Sequence, residues 1–387
     1  MKAFSLPVLL LLFLISCSSP KPGTNVYKLD IKSWPNQTIV LDKVIKEIRI
    51  IPLETKPECL ISYISDMQFT PDMIVTLDGE TLQMNCFGLD GKFLRKFGTR
   101  GKGPGEYATA AGMLVNQERS EVLLNRSPTR RVNFYNLSGQ FLRTIDQEFS
   151  GYRMKLIDKD LVAVHAGKFG FNMIHCELAV LDHNGKIRKT WFRFKDPVPG
   201  DLCFGFAAGT KPGSVLYHKR FDYHVYEIFS DRIETLLTVD FGSAAIDTGA
   251  FLNTEKIDQL MGEEGKIFGF ASLTNTPDHL IANIYHNRGF RGVWILDHRS
   301  KNQQYLAVDT LFSLGNYKGI PVHYPRYTDA SWFIWDSDGV DWYEAISKLS
   351  ESQKVILRKE VPGFLAAEKV TRDGNPVLVM YKFKEFR

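Results

Sequence analysis

Between residues 60 and 312 the chain alternates short apolar stretches with turn residues, and the alternation recurs at a near-constant distance. Cys86–Gly98 holds two strand-like runs around the turn Asp90-Gly91, and Asn133–Ile145 repeats the arrangement around Ser138-Gly139. Leu178–Trp191 repeats it around Asn184-Gly185, so Gly91, Gly139 and Gly185 stand 48 and 46 residues apart. A fourth copy, Tyr226–Leu237, keeps the spacing with Asp231-Arg232 at the turn, and a fifth begins at Val293. Each copy is an apolar run, a tight turn, and then apolar and basic residues in alternation, which is the pattern of an antiparallel hairpin. A second strand pair precedes the first three: Ile64–Phe69 with Met73–Leu77, Gly112–Asn116 with Glu121–Asn125, and Arg153–Ile157 with Leu161–His165. Four strands in a unit of about 40–50 residues is the arithmetic of a β-propeller blade. Unconnected hairpins would bury too little surface to be stable.

The pattern therefore predicts an all-β fold, a six-bladed β-propeller with four antiparallel strands per blade. Blades at 60–98, 107–147, 150–193, 200–241 and 265–312 leave 325–387 for the sixth, which borrows Ile45–Leu53 to pair with Pro376–Phe383. Strand exchange between the chain ends closes a ring and removes its open edges. Two short helical insertions are predicted, Thr254–Met261 behind Thr254 as N-cap, and Val340–Leu349 with Trp342, Ile346 and Leu349 at helical spacing. Composition fits a modular array, because 387 residues exceed what one core usually fills. Aromatic residues, which favour strands, make up 12% of the chain.

The N-terminus has a different character. Lys2 precedes the unbroken apolar run Val8–Ile15, which is far shorter than the roughly 20 residues that span a bilayer. A charged start, a short apolar region and then small residues read as a signal peptide over 1–16. Leu14-Ile15-Ser16-Cys17 resembles the lipobox of bacterial lipoproteins, which implies that the Cys17 thiol takes a diacylglyceryl group. One acyl chain binds only marginally, but the two or three of a mature lipoprotein hold a protein on the membrane. Residues 17–39, opening with Ser18-Ser19-Pro20-Lys21-Pro22-Gly23-Thr24-Asn25, read as a flexible linker, and 40–387 as the propeller. The expected location is the cell envelope, with Ser18 compatible with outer-membrane sorting; which side of that membrane stays open. Of the other cysteines, Cys59, Cys86, Cys176 and Cys203, none forms a Cys-x-x-Cys, and each sits in or beside an apolar stretch. Buried thiols are the default expectation for them, although four cysteines allow three pairings.

Three segments carry a family resemblance: Ile51-Pro52-Leu53-Glu54-Thr55, the loop Gly98–Tyr107 with its Gly-x-Gly-Pro-Gly-Glu-Tyr stretch, and Asp373–Lys382. They are similar to the NHL-like six-bladed β-propeller lipoproteins of Gram-negative anaerobes. The resemblance covers about residues 40–387 and implies fold and export; it transfers no catalytic residues.

Candidate chemistry is sparse. Lys102 is followed by Gly103 and Pro104 and then by a strand, so the glycine-rich loop lacks the Gly-Lys-Ser/Thr and helix of a phosphate-binding P-loop. It reads as a connector between blades, with Glu106 and Tyr107 as its anchors. Tyr217–His224 gathers two His, two bases, an Asp and aromatics at a turn of the fourth blade. Tyr217, His218, Arg220 and Tyr223 are the candidate ligand or partner contacts there, with His279 and His286-Asn287-Arg288 able to reach the same mouth. Neither a Gly-x-Ser-x-Gly elbow nor a His-Glu-x-x-His or calcium loop occurs. Net charge is +4 with the signs mixed, without the basic stripe that nucleic-acid binding needs. The sequence thus points to a membrane-anchored scaffold that binds a protein, peptide or glycan on its propeller face, with no cofactor. The alternative is a metal-dependent hydrolase or lactonase using the central channel. It would need several Asp, Asn, Glu or His at the starts of different inner strands, where only Asp66, Asn116 and Asp158 stand out.

Overall fold

A computed structural model describes residues 25–29, 41–126, 128–149, 151–166, 176–193, 205–219, 222–246, 265–286, 289–307 and 313–386. Its strands form six blades of four antiparallel strands, one of them extended by a fifth, and a separate two-stranded hairpin, Ser313–Tyr317 with Ile320–His323. From inner to outer strand, the first blade is Ile64–Phe69, Met73–Asp78, Met84–Gly88 and Phe93–Phe97. The second is Gly112–Asn116, Glu121–Asn125, Arg131–Asn136 and Phe141–Asp146, and the third Arg153–Leu156, Leu161–His165, Cys176–Asp182 and Ile187–Arg193. The fourth is Gly205–Ala208, Val215–His218, His224–Ile228 and Ile233–Asp240, and the fifth Ile267–Asn275, His279–His286, Gly289–Asp297 and Gln303–Ala307. The sixth is Tyr327–Asp329, Trp332–Ser337, Val377–Phe383 and, from the other end of the chain, Ile45–Pro52. Each inner strand touches the inner strand of the next blade, and the sixth touches the first. The protein is a closed six-bladed β-propeller.

The core explains why the middle strands are nearly unbroken apolar runs. Buried hydrophobic residues fall into six clusters, one at each seam between neighbouring blades. A middle strand is therefore covered on both faces, and its alternate residues serve different seams. Met113 and Val115 join the cluster shared with the first blade, and Leu114 joins the one shared with the third. Outer strands keep one wet face, so Phe93–Phe97 alternates between covered and exposed positions.

The repeated turn glycines do two jobs. Gly91, Gly139 and Gly185 have φ of 84°, 94° and 77°, which a side chain disfavours. Each also lies against the outer strand of the preceding blade. A Cβ at these positions would stand 2.1 Å from the Pro52 carbonyl oxygen, 2.7 Å from that of Lys96 and 2.8 Å from that of Asp146. Two acids complete the contact. The Glu54 and Glu148 amides donate to the Gly91 and Gly185 carbonyls, and their carboxylates accept from the amides of Phe93 and Ile187 at 2.9 Å. The ring closes through Asn375, a buried residue beside the last strand. Its Nδ2 donates to the carbonyls of Glu54 and Cys59 at 2.8 Å, and its Oδ1 accepts from the Ile61 amide at 2.9 Å.

The loop Gly98–Tyr107 is a blade connector. Glu106 accepts from the Gly103 amide at 2.7 Å, and buried Tyr107 donates to the Leu82 carbonyl at 2.9 Å. The predicted helix near Val340–Leu349 is Gly339–Ser347, with Trp342 and Ile346 buried. Two further helices follow that the sequence reading did not anticipate: Glu351–Glu360, opened by a reciprocal Ser350–Gln353 cap, and Phe364–Ala367. Thr254–Met261 lies outside the described residues.

Two expectations need correction. Val26–Lys28, inside the segment expected to be a flexible linker, is a strand running parallel to Thr238–Asp240 on the outer edge of the fourth blade. It is fixed because Leu29 is fully buried at the seam between the fourth and fifth blades and Tyr27 packs against Trp294. The cysteines are not all thiols: Cys59 and Cys86 are free and buried, but Cys176 is disulfide-bonded, its partner lying outside the described residues.

Candidate ligand channel

The six inner strands surround a central cavity of about 410 Å³. An inner strand has no neighbour on its channel side, so its polar side chains face a partly open cavity, with Arg153 and Arg326 exposed and Lys155 and Asp329 half-buried. Asp66 of the first blade, Arg153 and Lys155 of the third, and Arg326, Tyr327 and Asp329 of the sixth line it. Met67, Met113, Met154, Phe206 and Leu273 supply apolar wall between them.

Asp66 bridges two blades. One carboxylate oxygen accepts from the Met113 amide at 2.9 Å and the other from the Met67 amide at 2.9 Å. Burial nonetheless raises its pKa, against those amides and the positive charges of Arg153 and Lys155. Burial lowers the pKa of Lys155, against the charge of Asp66. Among the described residues neither Arg153 nor Lys155 makes a side-chain hydrogen bond or ion pair, so both bases are held near the carboxylate without touching it. Arg326 is engaged: it reaches both carboxylate oxygens of Asp336 at 3.1 Å and the Ile64 carbonyl at 2.9 Å. Burial raises Asp336 to about 6, with Arg326 opposing.

The sequence candidates separate sharply. His218 reaches the channel wall, although it belongs to the second strand of its blade. It pairs with Gly205, and a Cβ on that glycine would lie 3.1 Å from His218 Nε2. The imidazole is fully buried, its two nitrogens have no hydrogen-bond partner, and burial lowers its pKa to about 3. It is therefore neutral, with one donor and one acceptor to offer. Tyr217 alternates away from it, buried at the seam with the third blade and within 2.9 Å of His165 Nδ1. Tyr223 is also inside, its hydroxyl donating to the Ile267 carbonyl at 2.8 Å and accepting from the Ile246 amide at 2.6 Å. Arg220 and Cys17 lie outside the described residues, as do Asn287 and Arg288. His279 is remote from the mouth, buried with its Nε2 3.1 Å from the Lys384 carbonyl.

Of the three polar residues singled out on or beside inner strands, only Asp66 faces the channel. Asn116 donates to the Lys159 carbonyl, and Asp158 accepts from amides of its own turn. Arg153, Lys155, Arg326 and Asp329 were not singled out. The available signal was their place on or beside inner strands, which border the channel. Among the described residues, no three His, Cys, Asp or Glu side chains assemble as a metal site would require.

A family profile matches residues 26–382, which is nearly the whole propeller. The chain belongs to the DUF4934 family, described as a domain of unknown function. No curated protein matches it. Among solved structures, the chain is similar to a Bacteroides fragilis NCTC 9343 protein described as exported. That pair shares 14% identity at a TM-score of 0.72, covering 93% of this chain and 99% of that one. It is also similar to a DUF4221-family member from Bacteroides vulgatus ATCC 8482, with 9% identity, a TM-score of 0.50, and 88% and 97% coverage. At such identities the likeness concerns the fold alone.

Proposed function

We propose that this DUF4934 protein is an exported lipoprotein, anchored in the cell envelope through Cys17, whose propeller binds a ligand in its central channel. One observation carries the binding role: the channel wall keeps His218 buried and Lys155 half-buried, neither with a hydrogen-bond partner among the described residues. Burying an unpartnered polar group costs about 1–3 kcal/mol, and more for a charge. A channel that served only to hold the ring together would be more stable with apolar side chains at these positions. A ligand that satisfies them gives a reason for their presence. Support for a hydrolase would be a converging set of metal ligands or a nucleophile beside a base, and the lining residues offer neither arrangement.

The anchoring half of the proposal rests on the apolar run and lipobox before Cys17. Among the described residues no helix is long and apolar enough to cross a membrane. The fixed strand begins at Val26, so the tether from Cys17 is shorter than the expected 17–39 linker. Nine residues reach about 30 Å when fully extended, which would keep the ring close to the lipid surface.

Native mass spectrometry of the Cys17→Ala protein, purified from a lipoprotein-competent host, tests the binding role. An adduct of small-molecule mass is expected on this protein and not on a Gly205→Leu variant, whose side chain would enter the space beside His218. Adduct-free spectra of both proteins would contradict a channel ligand. Fractionation of the same host tests the anchor: Cys17→Ala should leave the membrane pellet, and retention there with continued acyl labelling would contradict it.

A further inference from the structure

The charged groups lining the channel are Arg153, Lys155 and Arg326 with Asp66 and Asp329. Arg326 is committed to Asp336, which lies outside the lining, and to the Ile64 carbonyl, so Arg153 and Lys155 are the lining cations that no carboxylate contacts. These two are alternate residues of one inner strand and share a side of it. The adjacent fourth blade contributes His218, neutral, enclosed and unpartnered. Apolar wall from Met154, Phe206 and Leu273 lies among these polar groups.

We infer that the channel binds a small organic monocarboxylate bearing a hydroxyl group, with the carboxylate held by Arg153 and Lys155 and the hydroxyl by His218. The inference rests on the channel being the ligand site. Two cations that no carboxylate contacts suit an anion, and a single negative charge suits them better than two, because a dianion would bring its second charge toward the Asp66 carboxylate. Two adjacent bases suit the two oxygens of a carboxylate. A neutral imidazole suits a hydroxyl, which both donates and accepts. The apolar wall covers a carbon skeleton, and about 410 Å³ limits the ligand to a small solute.

The test is calorimetric titration of the Cys17→Ala protein at fixed ionic strength with D-glucuronate, L-lactate, D-glucose and inorganic phosphate. Glucuronate and glucose differ chiefly in the carboxylate. At least one of the two carboxylates should bind, glucose should bind at least tenfold more weakly than glucuronate if glucuronate is that ligand, and Arg153→Gln and Lys155→Met should each weaken binding at least tenfold. Circular dichroism and melting temperature identify any variant that has lost its fold, and His218→Asn is a third, near-isosteric probe of the same site. Glucose binding as tightly as glucuronate would overturn the inference and leave the channel reading standing. Phosphate binding more tightly than either carboxylate would replace the ligand class. Carboxylate binding unchanged in all three variants would place the site elsewhere. Absence of heat with all four probes would also overturn the inference, while the channel reading would then stand or fall on the mass-spectrometric adduct.

Discussion

Gly205 gives His218 its place on the channel wall: the two are cross-strand partners, and the space a side chain would take on the glycine is bordered by the imidazole Nε2. A residue from the second strand of a blade thereby joins the lining that inner strands otherwise supply. The pairing makes the glycine a position where size controls access more than stability.

Gly205→Val should therefore weaken channel binding at least tenfold while changing stability by about 1 kcal/mol or less. The backbone there is not in the left-handed region, and the nearest obstacle is the far end of one side chain. Calorimetric titration alongside urea unfolding separates the two effects.

Gly139→Ala should behave oppositely. It combines a φ of 94° with a Lys96 carbonyl oxygen only 2.7 Å from the new Cβ. Left-handed strain costs about 1–3 kcal/mol, and backbone displacement at the seam adds to it. Urea unfolding should show a loss of about 2–4 kcal/mol, whereas a loss under 1 kcal/mol would mean that the blades do not approach as described.

Asn375→Ala removes three side-chain hydrogen bonds at the junction of the chain ends and leaves buried backbone groups unpaired. A destabilisation of about 3 kcal/mol is expected. Its effect should nearly vanish in a chain truncated before Val377, which lacks the middle strand of the sixth blade and should already be unfolded by circular dichroism.

Acid should destabilise the ring. Burial lowers His165 and His218 to about 3 and His298 to about 4. The unfolded chain protonates these groups near 6.5, so their contribution is complete above that pH and is lost as pH falls toward 4 and 3. Asp336 acts in the opposite sense: raised to about 6, it contributes stability at low pH that is lost as pH rises from 3.8 through 6. Among the groups shifted furthest in the acid range three oppose one, and each uncompensated proton costs about 1.4 kcal/mol per pH unit. Thermal melts should fall steeply between pH 6.5 and 4, and His218→Asn should flatten that fall. A pH-independent melt would contradict the burial of these imidazoles.

The blade count and the strand exchange were legible because they follow from periodicity. Strands buried on both faces are apolar throughout, and a glycine that needs positive φ and touches the preceding blade recurs in three of the turns. The lining was much less legible. A charge on a four-residue inner strand, such as Arg153 or Lys155, has the same local pattern as one on a wet edge, and only the ring makes the difference. Tyr217 and Tyr223 were grouped with His218 by proximity in sequence, yet strand alternation sends Tyr217 into one seam and its hydroxyl draws Tyr223 into another. Val26–Lys28 was missed because three residues carry no usable period.

The most direct test is the His218 imidazole itself. In a proton NMR titration of the Cys17→Ala protein, with the His218 ring resonance assigned by its loss in His218→Asn, D-glucuronate or L-lactate should shift that resonance saturably, and sodium chloride at equal ionic strength should not. A His218 resonance that stays fixed while the protein demonstrably binds either carboxylate would contradict the channel as the binding site.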